Sequence, residues 1–126
     1  MGADEPPPVP RRAFAATEAA DAHLLLAHCP EHRDRLALPP LPFEGAAPAA
    51  FDPARLTMML SGHTHGGQVR VLGWTPVVPR GSGRYLRGWF SDPGAVPLYV
   101  SRGIGMSMLP MRLGSPPEVA VFTMWV

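Results

Sequence analysis

The chain of 126 residues carries five histidines and one cysteine. Two of the histidines stand one residue apart in "LSGHTHGGQVRV", residues 60–71. Neutral imidazole is the commonest metal ligand in proteins. On a regular strand, residues i and i+2 share a face, so His63 and His65 could point together there. Gly62, Gly66 and Gly67 surround them, however, and glycine marks backbone that leaves regular geometry or lets another group approach closely. The expected picture is a loop at the C-terminal end of a strand, holding both imidazoles toward one point, which is where open α/β sheets put their ligands. Two imidazoles do not complete a site. A single zinc takes about four ligands, and a two-metal centre needs more, normally with a carboxylate bridging the ions. His28, in "LLLAHCPE", is the natural third ligand, because it also ends an expected strand and two parallel neighbours bring their ends to one edge. On residue types alone, plain polar surface for the H-x-H pair and a satisfied buried imidazole for His28 remain open readings. His23 and His32 read as structural or solvated, and Cys29 as a small buried thiol, with ligation of a soft metal the lesser alternative.

These donors need elements to position them. "HLLLA", residues 23–27, is a compact apolar run that reads as a buried strand, with His28 just past its end and Pro30 at a helix-start position. "EHRDRLAL", 31–38, has helical character, and "AFAATEAADA", 13–22, could form a short helix. "LTMML", 56–60, reads as a second strand feeding the glycine-histidine cluster. "QVRVLG", 68–73, and "VPLYVSRG", 96–103, read as further strands, with a short extended piece at "RYLRGWF" inside a loop over 74–95. "EVAVFTMWV", 118–126, reads as a closing strand. The proline-rich segment 39–54 reads as loop, and residues 1–20 as a disordered or weakly helical lead-in. The expectation is a β-dominated α/β chain with one or two helices near its front.

Composition narrows the classes. Apolar residues make up 46% of the chain, enough for one modest core. The formal net charge is +1, and all eleven basic residues are arginine, so no nucleic-acid surface or polybasic membrane patch is evident. A single cysteine excludes an internal disulfide and leaves the redox compartment open. No segment approaches the ~20 apolar residues of a membrane span. The opening "MGADEPPPVPRR" lacks the basic-then-apolar order of a signal peptide. The chain as it stands reads as cytoplasmic, and as membrane-associated or exported if a segment precedes it.

Taken together, the motifs resemble those of the calcineurin-like metallophosphoesterases. "LSGHTHGGQ" is similar to that family's terminal G-H-x-H motif. "LLLAHCPE" is similar to the preceding motif, an apolar strand ending in a metal-binding histidine. "LYVSRGIGMSMLPMRLGSPPEVAVFTM" resembles the tail of one bacterial branch, with S-R-G-[IL]-G, L-P-x-R and P-P-E elements in order. The resemblance covers roughly residues 21–126 and implies the C-terminal half of a four-layer α/β/β/α sandwich. It implies two divalent metal ions between strand ends, with Mn, Fe, Zn and Co not distinguished. It further implies His28 and His63 on one ion and His65 on the other, with Ser61 and Thr64 only shaping the loop. The implied activity is hydrolysis of a phosphoester, chiefly a phosphodiester, in a small-molecule or lipid substrate. Arg102 and Arg112 are candidates for phosphate contact or loop support, with the structural role favoured. Tyr85, Trp89 and Phe90 read as core aromatics rather than a substrate-side loop.

The family's other ligands come from earlier D-x-H, G-D-x-x-D and G-N-H-[DE] motifs. This chain contains no asparagine and no Gly-Asp pair, so two of these are absent. Asp21-Ala22-His23 matches D-x-H as text but precedes an apolar strand instead of following one. The expectation is therefore half of a dinuclear site, little activity for the chain alone, and a missing N-terminal half supplied in cis or by a partner chain. The alternative is a non-catalytic remnant or accessory module that keeps the fold's tail and one metal.

Overall fold

The structure, a computed structural model, describes residues 20, 22–36 and 53–125. Four strands and one short helix organise them: β1 (His23–Ala27), α1 (His32–Leu36), β2 (Leu56–Ser61), β3 (Gly88–Phe90) and β4 (Leu98–Val100). They form one mixed sheet in the order β1-β2-β4-β3. β1 and β2 run parallel with Ala27 opposite Ser61. β2 and β4 are also parallel, with Ser61 opposite Val100. β3 returns antiparallel to β4. The three parallel strands therefore finish together, and the chain leaves β1 and β2 at the same edge.

Alternation along the strands sorts side chains onto two faces. On one face Leu25, Met59 and Leu98 lie in register, and Val100 follows one step on. These residues join Leu56, Tyr85 and Leu36 of α1 in one buried cluster. Tyr85 packs edge-on against Phe90, with ring centroids 5.0 Å apart. A fully buried Leu or Met stabilises by roughly 1.5–3 kcal/mol, so this face carries most of the fold's stabilisation. The other face presents Leu24 and Leu26, which are 45% and 76% exposed. Its β3–β4 end is partly roofed, because Phe122 packs against Trp89 and Tyr99 at centroid distances of 5.8 and 5.0 Å.

α1 is held to the packed face by a buried guanidinium. Arg33 is 3% exposed. Its Nε donates to the Val96 carbonyl at 2.6 Å, and its Nη1 donates to Asp92 at 2.5 Å and to the Tyr85 hydroxyl at 3.3 Å. The Tyr85 hydroxyl in turn donates to Asp34. Arg84 also reaches Asp92, at 2.6 Å. Hydrogen bonds from Arg33 and then Arg84 hold the Asp92 carboxyl below the usual carboxylate range, against the opposing effect of burial.

Two expected strands are corrected. Residues 68–70 form a single parallel bridge with Leu113, and the segment then turns instead of continuing as a strand. Val71 and Trp74 exchange both backbone bonds at 2.9 Å across Leu72 and Gly73, whose φ values are 50° and 86°. Positive φ at both central positions is the pattern of a type I′ turn, and glycine at the second makes it accessible. Residues 118–125 alternate between half-buried and exposed yet join no ladder among the described residues. Apolar alternation makes a segment fit to be a strand, but a strand also needs a neighbour for its backbone groups. The 31–38 helix is present as Glu31's neighbours 32–36, and β1, β2, β3 and β4 fall within the expected stretches. The lead-in through residue 19, the possible helix at 13–22 apart from residues 20 and 22, and most of the 39–54 loop lie outside the described residues.

Candidate metal centre

The parallel pairing of β1 and β2 carries His28 and His63 to the same edge. His28 is the first residue after β1, and His63 follows β2 by two. Nδ1 of His63 lies 2.9 Å from Nε2 of His28, and the two rings meet edge-on with centroids 4.6 Å apart. The other nitrogen of His63, Nε2, is 2.5 Å from the Arg80 carbonyl oxygen. A carbonyl can only accept, so Nε2 carries the ring proton and Nδ1 of the neutral imidazole presents its lone pair toward His28. This is the arrangement in which metal-ligating histidines are found, one nitrogen on the ion and the remote N–H on a backbone carbonyl.

His63 reaches this position through an unusual backbone. Its φ is 68°, and Thr64 N–H bonds the Gly62 carbonyl at 2.7 Å across it, closing a three-residue turn. A non-glycine residue in such a turn costs about 1–3 kcal/mol, which the surroundings must supply. Thr64 supplies part of it. Its fully buried hydroxyl donates to the Leu86 carbonyl at 2.7 Å and accepts from Gly66 N–H at 3.1 Å. Gly66 has no room for a side chain, since a Cβ there would lie 2.5 Å from both Arg102 Cγ and Ser115 Oγ.

Cys29 joins the pair. His28, Cys29 and His63 have ligand atoms that all lie within 4.8 Å of one another, and they are the only such group of three or more His, Cys, Asp or Glu donors among the described residues. Gly81 makes this possible from the opposite side. Its φ is 88°, and a Cβ there would stand 2.8 Å from Cys29 Sγ and 3.6 Å from His63 Nε2. Its carbonyl accepts from Glu31 N–H at 3.1 Å, tying the 80–81 segment to the turn that follows Cys29. In the sequence Cys29 reads first as a buried thiol and only second as a soft-metal ligand, and in the structure it is half-buried. Its adjacency to His28 was visible, but the approach of residues 80–81, 52 positions downstream of it, was not.

His65 stands outside the three-donor group. Its carbonyl is gripped by Ser115 Oγ at 2.8 Å, Gln68 N–H at 3.0 Å and Arg112 Nη1 at 3.4 Å. It lines a cavity of about 290 Å³ whose walls include Val69, Val77, Pro79 and Met108. Arg112 serves the loops: its guanidinium donates to the carbonyls of Arg102, Gly105, His65 and Ser115. Arg102 pairs with Glu118 at 2.6 Å. Both arginines therefore have structural partners. Tyr85 is core, as expected, while Trp89 is 54% exposed. His23 is buried and His32 half-buried. Burial pushes the His32 imidazole below its ordinary value, opposed by Glu31 and reinforced by Arg35, His28 and His63. Among the described residues no helix is long and apolar enough to cross a membrane.

Four curated proteins match the chain. Phosphodiesterase YaeI of Escherichia coli is 35% identical over 121 residues, which is 95% of this chain and 36% of that protein. The uncharacterized metallophosphoesterase YkuE of Bacillus subtilis is 38% identical over 69 residues, 55% of this chain and 24% of its own length. The chain is a relative of the metallophosphoesterases. A metallophosphoesterase of Helicobacter pylori, also uncharacterized, is 34% identical over 65 residues. The chain thus spans 24% and 36% of the lengths of YkuE and YaeI. No family model and no solved structure matches it. Divalent metal ions are implied by the metallophosphoesterase relationship, and the convergent imidazoles of His28 and His63, the latter oriented by the Arg80 carbonyl, fit such an ion.

Proposed function

We propose that this chain is the C-terminal portion of a metal-dependent phosphodiester hydrolase with a four-layer α/β/β/α architecture. The observation that carries the reading is the 2.9 Å meeting of His63 Nδ1 and His28 Nε2 at the shared end of parallel strands. The two nitrogens share one hydrogen bond, His28 Nε2–H donating to the Nδ1 lone pair of His63, and moving the His28 proton to its other ring nitrogen would turn two lone pairs toward one ion. His28 and His63 hold one ion in this reading and His65 a second, which agrees with His65 standing outside the first group. When bound, the ions supply a water of lowered pKa and neutralise charge that develops on the phosphate. The residues of this chain do the positioning. The Arg80 carbonyl keeps the proton on His63 Nε2 and turns its lone pair inward. Thr64 and Gly66 hold the strained turn, and Arg112 and Ser115 fix the His65 backbone. The bridging carboxylate and the remaining ligands come from a further segment, in cis or from a partner chain. That segment also covers the Leu24–Leu26 face.

The test is turnover of an activated phosphodiester with Mn²⁺. The 126-residue chain alone is expected to show little or none. Joined to a segment bearing D-x-H, G-D-x-x-D and G-N-H motifs, it is expected to turn over and to lose activity on His63→Ala. Activity of the chain alone, abolished by His63→Ala, would overturn the half-site reading. A joined protein that binds metal without turnover would favour a non-catalytic accessory module.

A further inference from the structure

We infer that Cys29 is a third protein ligand beside His28 and His63, so that this position selects a thiophilic divalent ion, Zn²⁺ or Co²⁺, over Mn²⁺ or Mg²⁺. The inference rests on the reading of His28 and His63 as ligands and extends it to the choice of metal. Three independent features meet at the thiol. Its Sγ lies within 4.8 Å of a ligand nitrogen of each histidine. The tautomer of His63 is set by the Arg80 carbonyl, so a lone pair and not an N–H faces the group. Finally, residue 81 is a glycine at φ 88°, and any larger residue would displace Sγ from the group, its Cβ standing 2.8 Å away.

The chemistry follows from the donor set. Two neutral imidazoles leave a divalent ion with its full charge, whereas one thiolate lowers it to a net single positive charge. Binding releases the thiol proton to solvent and forms one metal–sulfur bond, with no change in oxidation state. Thiolate and imidazole together favour zinc and cobalt, while manganese and magnesium favour oxygen donors. In this chain three protein ligands leave positions on the ion for the carboxylate of the proposed further segment and for water or a phosphate oxygen, the pattern of an open site rather than a closed structural one.

The experiment uses the 126-residue chain and Co²⁺ as the probe. Bound cobalt is counted by equilibrium dialysis, and sulfur ligation is read from the near-ultraviolet thiolate-to-cobalt charge-transfer band. One equivalent of cobalt with that band is expected. Cys29→Ser should remove the band and weaken binding at least about tenfold. Cobalt bound without the band overturns the role of Cys29 and leaves the histidine reading standing. No cobalt bound, by either the chain or His63→Ala, overturns both. A second measurement needs no variant: Zn²⁺ should slow alkylation of Cys29 by iodoacetamide at least about tenfold, and Mn²⁺ should not. Equal rates with and without Zn²⁺ overturn the proposal.

Discussion

The two faces of the sheet are built from the same apolar alphabet and end in opposite conditions. Leu25, Met59 and Leu98 are buried beneath α1 and Tyr85. Their strand neighbours Leu24 and Leu26 stand largely in solvent. The difference is not one of hydrophobicity, since leucine occupies both. It lies in what the chain itself can fold back over. Residues 30–36 and 79–92 return across one face and bring a buried arginine staple with them. Among the described residues, the ribbon around Phe122 packs on the other at Trp89 and Tyr99, and Met58, beside Leu24, is also buried there. Parallel sheets ordinarily bury both faces, and in the proposed reading the exposed part of this one is where a further segment packs. The same segment that closes the packed face also carries Arg80 and Gly81 to the donor cluster. Core closure and metal geometry therefore share one connection.

Substitutions should separate the faces sharply. Leu98→Ala is expected to destabilise the chain by about 2–5 kcal/mol in urea unfolding, because the cavity lies in the packed cluster. Leu26→Ala should stay within about 0.5 kcal/mol. Equal losses at the two positions would show that the open face is covered in solution. Arg33→Ala should cost about 1–3 kcal/mol, since it removes the bonds to Val96, Tyr85 and Asp92. Asp92 keeps Arg84 and its own partial exposure, which places the cost below that of a fully buried pair. Leu24→Glu with Leu26→Glu should leave the melting temperature nearly unchanged and reduce self-association in sedimentation velocity. An unchanged association state would place the sticky surface elsewhere.

The smallest effect concerns the ribbon. Burial would raise the Glu118 carboxyl, but hydrogen bonds from Tyr99 at 2.5 Å and Arg102 at 2.6 Å outweigh it and hold the pKa below its ordinary value. The folded state therefore binds this proton less readily than the unfolded one. The stabilisation is fully present above the ordinary glutamate pKa and is lost as pH falls through the lowered folded value. It should amount to no more than about 1 kcal/mol. Glu118→Gln should flatten the acid limb of the stability profile, and an unaltered limb would mean that the ribbon contributes nothing.

Local signals in the sequence were enough to mark β1 and β2, because each is a short apolar run with a clear stop. Parallel adjacency was only the condition under which both histidines would meet at one edge; the structure has that pairing, and the 2.9 Å contact is its geometric consequence. The same kind of signal misled at residues 68–73, where pairing stops at isolated bridges, and at 118–125, where β-like composition has no ladder partner among the described residues. Gly73 was the local cue to the turn. Nothing local distinguished the unpaired ribbon, since pairing is a property of two segments.

His28, His63 and His65 could be singled out as candidates from residue type and spacing, because each imidazole follows an apolar run that reads as a strand, and the family resemblance raised them above the bland readings. That His28 and His63 meet while His65 faces a separate apolar cavity came from the fold, through a turn whose φ of 68° at His63 no residue pattern announces. The place of Cys29 among the donors, the tautomer imposed by Arg80 and the clearance left by Gly81 also came from the fold. The contact of Cys29 with Gly81 joins positions 52 apart and that of His63 with Arg80 positions 17 apart, and both approaches are set by core packing against Tyr85 and Arg33 and not by anything within either segment.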